Sequence, residues 1–253
     1  MKACLKHPLR VTGRLFWLGG ELLLAAASIG ILCAFRSKVS ELDVRASWMQ
    51  RSSRRLMQVF GVEPEVTGPI PSSGLLVCNH LSYLDVLVLA ALAPSVFVAK
   101  HEVKHWPVFG WFARRAGTVF VRREKRTQTK QVTDQIETVL SRGVLVILFP
   151  EGTSSGGKTV LPFKSSLLEP ATRQMHPLSA GLIRYELDDG DAGEEVCYWK
   201  DMTLVPHLIN LLSKRTVRTS LSFAQLREGS SNRKELARQL HSAVLKLRET
   251  PAF

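Results

Sequence analysis

The first pair of side chains that could carry acid–base chemistry is a histidine and an aspartate five residues apart. They lie in 79–85 (NHLSYLD), directly after the short apolar run 74–78 (GLLVC). Histidine is a general base suited to neutral pH, and an acidic partner can fix its tautomer and stabilise its cation. His80 and Asp85 meet if His80 precedes a helix and Asp85 points back from the first turn. Ser82 as the N-cap would place Asp85 at N3, although the same letters also fit a capping box without catalytic meaning.

A polar, glycine-rich loop follows another apolar run and offers a second set of reactive groups. The run 144–149 (VLVILF) ends at Pro150, and 151–158 (EGTSSGGK) supplies a carboxylate, hydroxyls and backbone donors. An ordinary surface turn has a similar composition. The letters 152–159 (GTSSGGKT) also match the phosphate-binding pattern G-x-x-x-x-G-K-[ST]. However, Pro162 follows where the phosphate-holding helix should begin, which disfavours a nucleotide site.

Two further patterns bear on metal binding. His101, Glu102 and His105 match H-E-x-x-H, which in a zinc protease lies on a helix. Pro107 would end such a helix, so a chance match is favoured over a zinc hydrolase. The cysteines form no C-x-x-C pair, which favours a reducing compartment over a zinc site or a disulfide framework. They are Cys4, Cys33, Cys78 and Cys197. We expect no metal.

The elements that must position these loops alternate between strand and helix. Short apolar runs predict buried strands at 74–78, 95–99, 118–121 and 144–149, and 217–223 (VRTSLSF) alternates like an edge strand. Helical patterns occupy Leu84–Leu92, 106–115, 125–141, 165–174 and 232–249. Three prolines and two glycines in 61–73 indicate a linker or turns. The alternation predicts an α/β fold, a mixed sheet flanked by helices, with ligands beyond the carboxyl ends of the strands.

The N-terminal region has the composition of a membrane-attaching segment. The 21-residue run 15–35 (LFWLGGELLLAAASIGILCAF) contains 16 apolar residues, and about 20 suffice to cross the hydrocarbon core. Basic residues on both flanks and no small-residue cleavage site disfavour a cleaved signal peptide. A spanning helix would carry Glu21 into lipid at roughly 2.5–3.5 kcal/mol, whereas an interfacial helix turns it toward the headgroups. A buried core helix is the third alternative.

A basic amphipathic helix is predicted next, at 41–60. Its apolar face carries Leu42, Ala46, Met49, Leu56, Val59 and Phe60, and four arginines occupy the rest. Such charge suits anionic headgroups, although a solvated face is the ordinary explanation. The expected organisation is therefore an anchoring segment at 1–60 and a catalytic α/β domain at 61–253.

The charge balance limits the class of partner. The 253 residues carry 34 Lys plus Arg against 22 Asp plus Glu, a net charge of +12, and such a chain attracts polyanions. A hydrophobic share of 45% excludes a disordered or collagen-like chain. Nucleic-acid readers interleave aromatic with basic residues, and around the basic stretch 122–126 only Phe120 is near. An anionic membrane is therefore the expected surface, and nucleic acid is not.

Taken together, three ordered blocks resemble the glycerolipid acyltransferase family. The block N-H-x4-D is matched by 79–85, G-x-[IV]-F-[IV]-D-R by 117–123 (GTVFVRR), and F-P-E-G-T-R-S by 149–155 (FPEGTSS) with LPFK at 161–164. A fourth block, a proline in a short apolar strand, is loosely met at 176–178. The later stretches 199–202 (WKDM) and 206–207 (PH) are similar to a bacterial subgroup of lyso-ornithine lipid acyltransferases.

The resemblance implies an enzyme that moves an acyl chain from acyl-CoA or acyl-carrier protein, without a cofactor. The implied acceptor is the free hydroxyl of 1-acyl-glycerol-3-phosphate, giving phosphatidic acid in phospholipid biosynthesis. The alternative acceptor is a lyso-ornithine or other lyso-lipid, and a non-catalytic basic membrane-binding protein is the distant alternative. The implied location is the bacterial inner membrane, with the active site on the cytoplasmic face.

The resemblance also assigns site residues. His80 and Asp85 are the implied catalytic pair. The implied substrate-binding residues are Asn79, Ser82, Arg122, Arg123, Glu151, Gly152, Thr153 and Lys164. Two positions depart from the family pattern: Arg122 stands in place of an aspartate and Ser154 in place of an arginine. Because the family's arginines help to hold the acceptor's phosphate, the loss of one leaves the acceptor headgroup open.

Overall fold

One seven-stranded sheet organises the protein, as seen in a computed structural model that describes residues 7–34, 41–121, 126–172, 176–227 and 229–249. The strands are β1 (Val62–Thr67), β2 (Leu75–Cys78), β3 (Ser95–Lys100), β4 (Val119–Val121), β5 (Leu145–Leu148), β6 (Leu178–Glu186) and β7 (Val217–Leu226). Their order in the sheet is β1-β7-β6-β2-β5-β3-β4. Neighbouring strands are parallel except β6 and β7, which are antiparallel, so the sheet is mixed as predicted.

Helices cover both faces of the sheet. They are α1 (Pro8–Ala34), α2 (Glu41–Phe60), α3 (Leu84–Leu92), α4 (Phe109–Arg115), α5 (Arg126–Leu140), α6 (Ala192–Glu195), α7 (Leu204–Ser213) and α8 (Arg233–Glu249). Side chains of α2, α3 and α7 share one core with the sheet. Side chains of α5 and α8 share the core on the opposite face. The site therefore rests on a sheet that is buried from both sides.

The central strand β2 shows why the sequence folds this way. Its four residues alternate between faces, with Leu76 and Cys78 in the core beneath α2 and α3, and Leu75 and Val77 in the core beneath α5 and α8. All four are buried. Burying a leucine or valine stabilises the fold by roughly 1.5–3 kcal/mol. A strand covered on both faces is therefore apolar at every position. The end of β2, where the histidine lies, is thereby fixed.

Most predicted elements are confirmed. The four buried strands are present within a residue or two of their predicted bounds, and the helix at Leu84–Leu92 matches its prediction. The apolar stripe of α8 packs as its spacing indicates, since Leu236, Leu240 and Val244 are fully buried. The helix predicted at 106–115 begins only at Phe109, after a short 3-10 turn at His101–His105.

Three further predictions were wrong in part, and one strand was missed. The segment 61–73 contains β1, whose Pro64 is tolerated because β1 is the edge strand and needs no second partner. The strand predicted as an edge, β7, instead lies between β1 and β6. Residues 165–174 form two 3-10 turns within the described residues, Ser165–Leu167 and Pro170–Thr172. Strand β6 was not predicted, because the small residues Ser179, Ala180 and Gly181 follow its first residue, Leu178.

Helix α1 lies alongside the domain. Val11, Ala25 and Ile29 are buried on its inner face, and the indole N–H of Trp48 on α2 donates to the carbonyl of Ala25 (3.1 Å). Glu21 also faces inward, where its carboxylate accepts a hydrogen bond from Arg55 of α2 (2.7 Å). The acidic residue that a spanning helix would place in lipid is thus paired with a cation of the protein.

Two arginines fasten the start of α1 to the end of α7. Arg10 donates to the carbonyl of Ser213 (2.8 Å), and Arg14 donates to the carbonyls of Leu212 (3.3 Å) and Arg215 (3.0 Å). The last carbonyls of a helix have no partner within it and carry partial negative charge. Guanidinium groups there satisfy both requirements. Helix α1 is therefore bound to the domain at its start as well as along its length.

Candidate active site

His80 and Asp85 meet at the carboxyl end of β2, with His80 before helix α3 and Asp85 in its first turn, the one arrangement in which their spacing allows contact. Nδ1 of His80 lies 2.8 Å from Oδ2 of Asp85, which is fully buried. The same Oδ2 accepts hydrogen bonds from the backbone N–H groups of Leu81 (2.6 Å) and Ser82 (3.0 Å). The remaining oxygen, Oδ1, accepts one from the hydroxyl of Tyr185 (2.6 Å). Four donors thus compensate a carboxylate that has no access to water.

The imidazole of His80 is fixed in orientation and open on one side. Its ring stacks on Phe149 with centroids 4.2 Å apart and planes inclined by 17°. Because a carboxylate only accepts hydrogen bonds, Nδ1 carries the proton that points to Asp85. In the neutral ring Nε2 is then an acceptor, and it has no hydrogen-bond partner among the described residues. The side chain is 24% exposed, so a substrate hydroxyl can reach Nε2.

The turn before α3 differs from the predicted capping box. The helix begins at Leu84 with Tyr83 in the N-cap position, and no side chain caps it. The hydroxyl of Ser82 is buried without a partner among the described residues. Only the reciprocal half of the box forms, since Asp85 reaches back to the Ser82 N–H. The carboxylate therefore serves both the helix start and the histidine.

The loop after β5 closes against His80. The backbone N–H of Ser155 donates to the His80 carbonyl (3.0 Å), and that of Lys164 donates to the Pro150 carbonyl (2.9 Å). Gly152 adopts φ +72°, a left-handed conformation that favours glycine. The backbone N–H groups of Thr153 and Ser154 make no hydrogen bond within the described residues, so this loop presents free donors beside the histidine.

Glu151 is the most unusual group in that loop. It is 2% exposed, and neither carboxyl oxygen has a hydrogen-bond partner in the described part of the chain. Burial raises its pKa to about 8. The backbone amides of His80 and Leu161 lie near and oppose that rise, although without the geometry of a full hydrogen bond. Glu151 is therefore mostly a neutral acid at pH 7.

The other predicted substrate-binding residues differ in burial, and two of them lie outside the described residues. Asn79 is buried, and its amide is occupied by β6, donating to the Ile183 carbonyl (3.0 Å) and accepting from the Ile183 N–H (2.8 Å). Thr153 and Lys164 are exposed. Arg122 and Arg123 lie outside the described residues. The structure thus brings together His80, Asp85, Asn79, Ser82 and the 151–153 loop, and it shows Asn79 joining two strands.

Tyr198 packs beside this loop together with Trp199, the first residue of the 199–202 stretch that the sequence had singled out. The hydroxyl of Ser154 donates to the Tyr198 carbonyl, and the Tyr198 N–H donates to the Leu81 carbonyl (2.8 Å). The ring of Trp199 lies so close to Gly156 that a Cβ there would be 2.6 Å from it. The serine that replaces the family's arginine is therefore engaged with 197–200 and does not point freely into the site.

The second histidine near the site is structural. His207 of α7 is buried; its Nε2–H donates to the Cys197 carbonyl (3.1 Å), and its Nδ1 accepts from the Tyr83 hydroxyl (3.1 Å). Burial lowers its pKa, which agrees with a neutral ring held in one tautomer. His207 fixes the segment before α7 against α3.

The H-E-x-x-H and G-x-x-x-x-G-K-T matches do not have the structures that a zinc site or a phosphate site requires. His101–His105 is a short 3-10 turn, whereas a zinc protease carries H-E-x-x-H on an α-helix. No group of three or more His, Cys, Asp or Glu side chains within the described residues has metal-binding geometry. Residues 158–164 are irregular, so the G-x-x-x-x-G-K-T match lacks the helix that holds phosphates.

Sequence reasoning missed Tyr185. It lies 100 positions from Asp85 in the chain, on a strand that was not predicted, and no local pattern connects the two. The loose proline block at 176–178 was the available signal, since Pro177 immediately precedes β6. Tyr185 adds a group from β6 to a site otherwise built from the end of β2, the start of α3 and the loop after β5.

Comparison with known proteins agrees with this geometry. A family model described as Acyltransferase matches residues 63–184. The lyso-ornithine lipid O-acyltransferase of Rhizobium meliloti is 31% identical over 87% of this chain and 79% of that protein. The one from Pseudomonas aeruginosa is 33% identical over 87% and 88%. The 1-acyl-sn-glycerol-3-phosphate acyltransferase of Neisseria meningitidis is 34% identical over 60% and 64%.

A solved structure shows the same fold. The 1-acyl-sn-glycerophosphate acyltransferase PlsC from Thermotoga maritima superposes with a TM-score of 0.64 over 97% of both chains, at 19% identity. The chain belongs to the acyltransferase family defined by these relatives. It is an acyltransferase of the lyso-lipid type, as the three sequence blocks predict.

Proposed function

We propose that the protein transfers an acyl chain from acyl-CoA or acyl-carrier protein to the free hydroxyl of a lyso-lipid, with His80 as general base. The observation that carries this proposal is the His80–Asp85 pair with Nε2 open. The acceptor oxygen attacks the thioester carbonyl carbon while Nε2 takes the hydroxyl proton. The carbon–sulfur bond then breaks, and the departing sulfur receives that proton from His80. The chemistry uses only the two substrates and groups of the chain.

The groups around the pair have distinct roles in this scheme. Asp85 holds Nδ1 and stabilises the imidazolium cation formed during attack, as in a triad whose nucleophile belongs to the substrate. The backbone N–H groups of Thr153 and Ser154 are the available donors for the negative charge that develops on the thioester oxygen. Arg122, Arg123 and Lys164 would bind the anionic group of the acceptor, a carboxylate or a phosphate, with arginine as a bidentate donor.

For the acceptor, we propose a lyso-ornithine lipid. The relatives named for that substrate match the chain over most of its length, including the 197–200 segment that contacts the catalytic loop. Ser154, where the family has a phosphate-binding arginine, is tied to the Tyr198 carbonyl. The second candidate is 1-acyl-glycerol-3-phosphate, because relatives named for it match 57–60% of the chain at 34% identity.

The membrane is the expected location of that acceptor. Pro8–Leu32 is long and apolar enough to cross a bilayer, and 11% of its most apolar window is buried. Its outer face is an apolar stripe of Leu9, Phe16, Leu23 and Ile31, exposed by 58–90%. Buried Val11 and Ile29 are 18 residues apart, about 27 Å along the helix. Helix α1 therefore packs against the rest of the protein over nearly its full length. We infer that α1 lies in the membrane surface, on the cytoplasmic face where thioester donors are found.

The test is an acyl-transfer assay on purified protein in detergent micelles. Free thiol release from acyl-CoA is followed with lyso-ornithine lipid, with 1-acyl-glycerol-3-phosphate, and without acceptor; the donor is then exchanged for acyl-carrier protein. His80→Ala should lower the rate by about 10²–10⁴-fold. His176→Ala is the matched control, because His176 also pairs with a carboxylate, Glu137 (2.9 Å), away from the site. Near-wild-type transfer by His80→Ala would refute the mechanism.

A further inference from the structure

The carboxylate of Asp85 is held from two directions. Oδ2 receives the three donors of its own turn, namely His80 Nδ1 and the N–H groups of Leu81 and Ser82. Oδ1 receives one donor among the described residues, the hydroxyl of Tyr185, at 2.6 Å. Tyr185 belongs to β6, on the far side of β2 from β5. The local turn thus fixes one oxygen, and a separate strand fixes the other.

We propose that Tyr185 is a positioning residue of the acyl-transfer reaction, which holds the Asp85 carboxylate so that Oδ2 faces His80. This proposal rests on the acid–base role given to His80 above. The carboxyl plane of Asp85 turns about the Cβ–Cγ bond, and any such turn moves both oxygens, including the Oδ2 that contacts His80. A second anchor on the other oxygen removes this freedom, and with it the variation in the Nδ1 contact. Tyr185 acts on the substrate only through Asp85 and His80.

The strand that carries Tyr185 is itself fixed to the site. The side chain of Asn79, immediately before His80, forms two hydrogen bonds with the backbone of Ile183. The positions of Ile183 and Tyr185 differ by two, so both side chains lie on the same face of β6. The Asn79 contacts set the height of β6 relative to the end of β2. They thereby set the height at which the phenol meets Asp85.

The phenol is a donor in this contact. Burial raises the pKa of Tyr185 above its ordinary value, and the charge of Asp85 raises it further, so the hydroxyl keeps its proton. A hydrogen bond to an ionised acceptor is short and about twice as strong as a neutral one. The 2.6 Å distance agrees with such a bond. The hydroxyl of Tyr185 and the ring of His80 therefore both interact with the negative charge of the Asp85 carboxylate.

Other titratable groups near Asp85 are uncharged at neutral pH. Burial raises the pKa of Cys78 well above its ordinary value and that of Cys197 to about 12. Burial likewise raises the pKa of Glu151 to about 8. These groups come from β2, from the segment after α6 and from the loop after β5. Asp85 is thus the charged group that contacts the His80 ring among the described residues.

Tyr185→Phe tests the proposal, because it removes the hydroxyl and retains the ring. We expect kcat/KM for acyl transfer to fall about tenfold through kcat, with KM for both substrates unchanged. Without the phenol, the charge of Asp85 is less shared and stabilises the His80 cation more strongly. The acidic limb of the kcat/KM profile should therefore move to higher pH, by roughly 0.5–1 pH unit.

A fluorinated tyrosine gives the opposite change without loss of the bond. Incorporation of 3-fluorotyrosine at position 185 makes the phenol a stronger donor, so the acidic limb should move to lower pH. Tyr83→Phe is the matched control, since Tyr83 is a half-buried tyrosine whose hydroxyl bonds to His207 and not to Asp85. It should leave the limb unchanged. Thermal unfolding of each variant identifies any loss of the fold.

The outcomes separate this proposal from the proposed function. Suppose that Tyr185→Phe loses activity but that neither it nor the fluorotyrosine variant moves the acidic limb of the kcat/KM profile. That result would show a purely structural role for Tyr185 and would overturn the proposal. Unchanged kcat/KM would overturn it as well. If His80→Ala retains acyl transfer, the acid–base mechanism itself fails, and that result does not depend on Tyr185.

Discussion

Glu151 offers the sharpest test of the electrostatics in this site. The substitution Glu151→Gln keeps the size and shape of the side chain and removes its ability to ionise. In the wild-type protein this carboxyl has a pKa of about 8, against an ordinary value of 4.5. Between these two values the folded protein holds a proton that the unfolded chain has lost. Wild-type stability therefore falls as pH rises through this window.

The expected magnitude follows from the same values. Each pH unit between 5 and 7.5 removes about 1.4 kcal/mol of wild-type unfolding free energy through Glu151. At pH 7 the accumulated loss is about 3 kcal/mol relative to the protonated state. The glutamine variant has no such dependence, and all other titrating groups are common to both proteins. The difference in unfolding free energy, variant minus wild type, should therefore increase with pH at about this slope.

The assay is urea unfolding in detergent micelles at closely spaced pH values from 5 to 8, followed by tryptophan fluorescence. Glu63→Gln, a substitution of an exposed glutamate on β1, is the control and should show no comparable slope. Infrared difference spectra of wild type and Glu151→Gln at pH 6 should contain the carbonyl band of one protonated carboxyl group. Parallel stability curves for Glu151→Gln and wild type, or the absence of that band, would refute a neutral Glu151.

The remaining predictions concern the strand contact and the anchor. Asn79→Ala leaves the Ile183 N–H and carbonyl without their Asn79 partners and should destabilise the fold by about 2–3 kcal/mol. The loss should appear as a lower urea midpoint with an unchanged slope. An unchanged midpoint would contradict the structural role of the Asn79 amide. Phe16→Ser with Leu23→Ser removes apolar area from the exposed stripe of α1 and should reduce flotation with phosphatidylglycerol vesicles. Leu245→Ser, at a 39% exposed position on α8, should float like wild type; equal loss from both variants would contradict an anchor confined to α1.

Local patterns predicted the elements that depend on local physics. The buried strands β2 and β5 are continuous apolar runs, and α8 shows its stripe in the spacing of leucines. The resemblance implied the pairing of His80 with Asp85, and a strand end followed by a helix start is the arrangement in which their spacing permits it. The strand β1 was missed because Pro64 reads as a turn residue unless the edge position of the strand is known. The position of β7 inside the sheet depends on β1 in turn.

The contacts that complete the site depend on distant segments. Tyr185 reaches Asp85, and Asn79 reaches Ile183, across about 100 positions of the chain. Strand β6 has small residues at its start and a polar end, so neither its period nor its length distinguishes it. The neutral state of Glu151 follows from burial by several elements at once. Such features are determined by the sheet order, and residue spacing alone does not encode them.

The attachment of α1 has a consequence for how the enzyme meets its acceptor. An anchor joined by a flexible linker would let the catalytic domain rotate and change its height above the lipid. Here Arg10 and Arg14 bind α7, Glu21 binds Arg55, and Trp48 binds Ala25, so anchor and domain move as one body. With α1 in the membrane surface, the depth of His80 is a fixed property of the fold. An enzyme placed as we propose would find lyso-lipids by lateral diffusion, and its turnover should then follow the mole fraction of acceptor in the bilayer at constant bulk concentration.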